Sequence, residues 1–104
     1  MRRDRLRVLL VEMTRPDPAA VALGRVLRDD GVEVVHAGRL DTLEQLRSTA
    51  EQEDPDAVGV LGAAPPVDLA DAVGVPVFTT AEEAARWLGG VRSHTAEAPS
   101  DRAR

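Results

Sequence analysis

The feature that most constrains this chain is an alternation. Four short β-rich apolar runs, Leu6–Val11, Val32–Val35, Ala57–Leu61 and Val75–Phe78, are separated by segments that carry helix punctuation. Three of the runs lack polar alternation, the pattern of strands buried on both faces of a parallel sheet. Asp17 followed by Pro18 marks a helix start, because Asp caps free N–H groups and Pro at the first helical position removes an N–H that has no partner anyway. Val21, Leu23, Val26 and Leu27 form an apolar stripe on this helix, and Gly31 is its stop. Thr42 with Gln45, and Thr80 with Glu83, read as capping boxes that open two further helices. Leu43, Leu46 and Ala50 face the core from the second, which Pro55 prevents from continuing. Ala84, Ala85, Trp87 and Leu88 do so from the last, which Gly89-Gly90 ends. Between the third and fourth strands, Val67–Val73 has room for one helical turn or two.

Strand–helix alternation implies right-handed crossovers and a parallel sheet. The expected architecture is α/β: a small flavodoxin-like, Rossmann-like parallel sheet of four strands in the order 2-1-3-4, with helices on both faces. Such sheets normally have five strands, and one strand–helix unit is missing after the third strand. Residues 1–90 form the single domain, and residues 91–104, nearly devoid of apolar side chains, are expected to be a disordered tail in which His94 is a bystander.

Charge and composition narrow the function classes. All 13 basic residues are Arg, and Lys, Cys and Tyr are absent. Schiff-base chemistry, a phosphate-loop lysine, thiolate metal sites and cysteine nucleophiles are thereby excluded. Residues 1–7 carry four Arg and one acid, whereas residues 8–89 carry fifteen acids against six Arg. The basic leader reads as a solvated segment before the first strand, and the acidic body argues against a nucleic-acid partner. No apolar run approaches the ~20 residues of a membrane span or the core of a signal peptide, so a cytoplasmic protein that binds no membrane is expected.

In open α/β sheets ligands bind beyond the carboxyl ends of the strands, where the strand order reverses. With order 2-1-3-4 that crevice lies between the first and third strands. Its candidate lining is Glu12, Met13, Thr14 and Arg15 from one loop, Gly62 and Ala63 from the other, and Thr79 and Thr80 after the fourth strand. Glu12 and Arg15 are its charges and are expected to pair. His36, ending the second strand, is expected on the rim. No nucleophile–base pair, carboxylate pair or metal cluster can be named, so no catalytic or metal-binding residue is assigned and an enzyme is not the favoured reading. A phosphate at the first helix would meet the Asp17 carboxylate. The loop EMTRPDP is not the glycine-rich turn of a dinucleotide fold, nor the Ser/Thr-rich phosphate loop of a flavodoxin. A receiver domain is excluded because the third strand ends in Leu61 and no Lys exists.

The segment Leu23–Val60 resembles the cobalamin (B12)-binding domain of the methylmalonyl-CoA mutase family. The resemblance rests on Leu27, Arg28, Asp29, Gly31, Glu33, Val34, Val35 and Gly38, then on Thr42, Asp54, Asp56, Gly59 and Val60. It implies a cobalamin-domain scaffold. The family's D-x-H-x-x-G motif supplies the cobalt-ligating His, the Asp that orients it and a Gly that makes room for the nucleotide tail. Those positions fall on Thr14, Pro16 and Ala19. The family's Ser-rich turn after the third strand is Leu61-Gly62-Ala63-Ala64 here, and the strand and helix that frame the nucleotide tail are missing. The resemblance therefore implies a shortened, degenerate homologue without the cobalt ligand. The expected role is an accessory or interaction subunit, of an acyl-CoA mutase or another CoA-ester enzyme, with no cofactor and with a protein partner or a homodimer covering an exposed sheet edge. The alternative is a small-ligand or cobalamin-binding protein that uses a His-independent mode.

Overall fold

A computed structural model describes residues 5–103, and the side chains of residues 5–92. The elements are β1 (Arg7–Glu12), α1 (Pro18–Asp29), β2 (Glu33–Arg39), α2 (Leu43–Glu53), β3 (Ala57–Leu61), α3 (Leu69–Val73), β4 (Val77–Phe78) and α4 (Ala81–Ala103). The sheet has four strands in the order β2-β1-β3-β4, and all of its pairings are parallel. The expected α/β architecture is what the chain adopts.

The alternation of side chains along β1 divides the core in two. Val8 and Leu10 point to one face, where Ala20, Leu23 and Leu27 of α1 and Ala84 and Leu88 of α4 cover them. Leu9 and Val11 point to the other, under Leu46 and Ala50 of α2 and Leu69 of α3. Both faces are thus sealed, and each fully buried Leu contributes about 1.5–3 kcal/mol relative to an exposed one. Gly59 in β3 is small for a packing reason. A Cβ there would lie 2.7 Å from Leu10 Cδ2 and 2.8 Å from Phe78 Cε1. Its absence lets Phe78 lie over β3, with Trp87 tilted against it at 5.9 Å between ring centres.

The helix starts follow the punctuation. Asp17 accepts a hydrogen bond from the Ala19 amide at 2.9 Å, with Pro18 opening α1. Thr42 and Gln45 form a complete capping box on α2. Gly31, at φ +86°, ends the α1 segment.

Four features differ from expectation. On α1, Val21 and Val26 are exposed, because the buried positions are Ala20, Leu23, Gly24 and Leu27, spaced by the helical repeat. On α4, Ala85 is exposed while Ala84 and Leu88 are buried. α4 does not stop at Gly89-Gly90 but continues to Ala103; neither glycine takes a positive φ, so neither acts as a left-handed cap. The backbone expected to be a disordered tail is therefore helical as far as Ala103, and the side chains from residue 93 on, His94 among them, lie outside the described residues, as do residues 1–4 of the basic leader. Finally, β2 extends to Arg39 through an irregularity: the β1 register steps from His36 to Gly38, which sits at φ +77°, and leaves Ala37 without a partner.

Candidate functional site

Of the residues assigned to the switch-point crevice, Met13, Arg15 and Gly62 meet beyond the ends of β1 and β3, and their contact closes the gap between the two loops. The Met13 amide donates to the Leu61 carbonyl at 2.8 Å, extending the β1–β3 pairing past the strand ends. Gly62, at φ +92°, then brings its Cα against the opposite loop. A Cβ at this position would stand 2.4 Å from the Met13 carbonyl oxygen and 2.6 Å from that of Arg15. Contacts that short do not exist for real side chains, so this approach of backbone to backbone requires glycine. Where a ligand would enter, two main chains touch.

The opposing loop is held in a tight and strained form. The Arg15 amide donates to the Met13 carbonyl at 2.6 Å across Thr14, whose φ is +69°. This is a γ-turn of the rare positive-φ kind. A β-branched residue there carries strain and persists only where its surroundings impose it. The surroundings do so from the α2 side: the Thr14 amide donates to Asp41 Oδ1 at 3.0 Å, and Gln45 Oε1 accepts from the Asp41 amide at 2.8 Å.

The remaining polar groups are engaged in the same bracing. Glu12 Oε2 accepts from the Asp17 amide at 2.9 Å. Among the described residues no ion pair joins it to Arg15, so the expected pairing is replaced by a carboxylate-to-backbone bond. Thr79 and Thr80 belong to the start of α4. The Glu83 amide donates to Thr80 Oγ1 at 3.1 Å, while Glu83 Oε1 accepts from the Thr79 amide at 2.7 Å and from its hydroxyl at 3.1 Å. The Thr79 amide and then its hydroxyl hold the Glu83 carboxyl below its ordinary pKa. Met13 and Ala63 pack into the α2–α3 side of the core. His36 does not face the crevice. It is exposed on β2 with its imidazole over Gly24 of α1, on the side that Leu10 faces.

The three positions that the resemblance sets against a cobalt-binding motif offer no imidazole to a metal. Pro16 has no donor atom and is exposed, as is Ala19, and Thr14 is committed to the γ-turn. Among the described residues no group of three His, Asp or Glu side chains is gathered to hold a metal ion, and no helix is long and apolar enough to cross a membrane. The contact between the two loops was not expected from the sequence. The signal was present in Gly62 directly after the strand, a position where close backbone approach often explains a glycine. No protein-family model matches the chain, and no curated protein matches it.

Proposed function

We propose that this chain is a non-catalytic interaction module, a flavodoxin-like scaffold that serves as an accessory subunit and takes no cofactor at its strand ends. The observation that carries the reading is the seam at Gly62, where the β3 loop meets the Met13 and Arg15 carbonyls in the place where open α/β sheets hold ligands. The polar groups around the seam support it further, since Glu12, Asp41 and Glu83 are all turned onto loop backbone. A partner, or a second copy, is suggested by the sheet edges. Among the described residues, β2 has a strand on one side only, and β4 has two residues and no strand beyond it. The likeness of Leu23–Val60 to cobalamin domains points to an acyl-CoA mutase or another CoA-ester enzyme as the protein served.

The test has two arms. Purified protein is titrated with adenosylcobalamin and hydroxocobalamin, followed by visible spectroscopy and by retention through a desalting column. No spectral change and no retained colour are expected. Cobalamin retained with its own base on cobalt would overturn the reading, and the loops Glu12–Pro16 and Gly62–Pro66 would become the site to mutate. The second arm is sedimentation velocity over a wide concentration range, with affinity capture from the native lysate. A chain that stays monomeric and retrieves no partner removes the accessory role even if cobalamin does not bind.

A further inference from the structure

We draw no further inference here: the strongest candidate, the cavity of about 250 Å3 where the last turns of α2 meet the segment between α3 and β4, is rimmed by the acidic Glu51 and Asp54 around an Arg47 already engaged by Glu44 and Glu51, and nothing in the structure shows what covers it.

Discussion

Substituting Gly62 by Ala tests the closed crevice directly. Two separable terms oppose the new methyl. The backbone sits at φ +92°, where an L-residue costs about 1–2 kcal/mol. The methyl would also overlap the Met13 and Arg15 carbonyl oxygens at 2.4 and 2.6 Å. Both oxygens are main chain and cannot rotate aside, so the loops must part, at the ~1–3 kcal/mol typical of overpacking. The sum is about 2–5 kcal/mol, a large share of the ~5–15 kcal/mol that stabilises a domain of this kind. Gly74→Ala supplies the control. Its φ is +73°, but nothing lies within 4 Å of the added Cβ, so only the conformational term applies. That term is partly offset by the smaller entropy of the unfolded Ala chain, about 0.4–1 kcal/mol. Urea unfolding followed by far-ultraviolet circular dichroism and Trp87 fluorescence measures both variants. Gly62→Ala should lose about 1–3 kcal/mol more than Gly74→Ala, at unchanged denaturant slope. Equal losses would refute the contact between the loops, and with it the reason for excluding a ligand there.

Three other outcomes follow from the same geometry. Thr14→Gly should stabilise by up to ~1 kcal/mol, the relieved positive-φ strain exceeding the entropy of a new glycine; a loss in the same urea assay would show that the turn is not strained. Glu83 has a folded pKa below its unfolded value, so its stabilising effect is full above that unfolded value and is lost as the pH falls through the folded one. The stability difference between the native chain and Glu83→Gln should therefore shrink as the pH drops from neutral past the ordinary carboxylate value of about 4.3, and a difference independent of pH would count against the bond to Thr79. Millimolar phosphate or coenzyme A should leave the melting temperature in place at fixed ionic strength, whereas a shift that saturates with concentration would reveal an anion site.

The fold was legible because its signals are local. Asp17-Pro18, Thr42 with Gln45 and Thr80 with Glu83 mark helix starts through bonds made within a few residues. The apolar runs then fix which segments form the sheet. Part of what escaped the sequence depends on contacts between distant segments. Gly24 is buried with His36 and Leu10 against it, and the buried stripe of α1 runs through Ala20, Leu23, Gly24 and Leu27, which leaves Val21 and Val26 exposed. The Gly89-Gly90 pair resembles a helix stop, yet glycine at about 1 kcal/mol each only weakens a helix and does not forbid one. At the candidate site, Glu12 was read against its neighbour Arg15, but its partner is the Asp17 amide at the start of α1.

A parallel α/β sheet collects the positive ends of its helices at the rim where the strands finish, and this is why such rims bind phosphates and nucleotides. Here each long helix has carboxylates at that end: Glu12 and Asp17 at α1, Asp41 and Glu44 at α2, Glu82 and Glu83 at α4. Carboxylates therefore stand near the helix ends that would attract an anion, and the caps on their amides are Asp17, Thr42 and Thr80. Asp41 also ties its loop to the β1–α1 loop through the Thr14 amide, while Glu12 and Glu83 brace their own loops through the Asp17 and Thr79 amides. The positive φ of Thr14 is held by the Asp41 bond to its amide. A ligand gate has to open, whereas a docking surface gains from rigidity, since little conformational entropy is lost when it is covered. On the proposed reading, the bonds that shut the crevice take a ligand site away from the rim, and the partner is met at the sheet edges, β2 and β4.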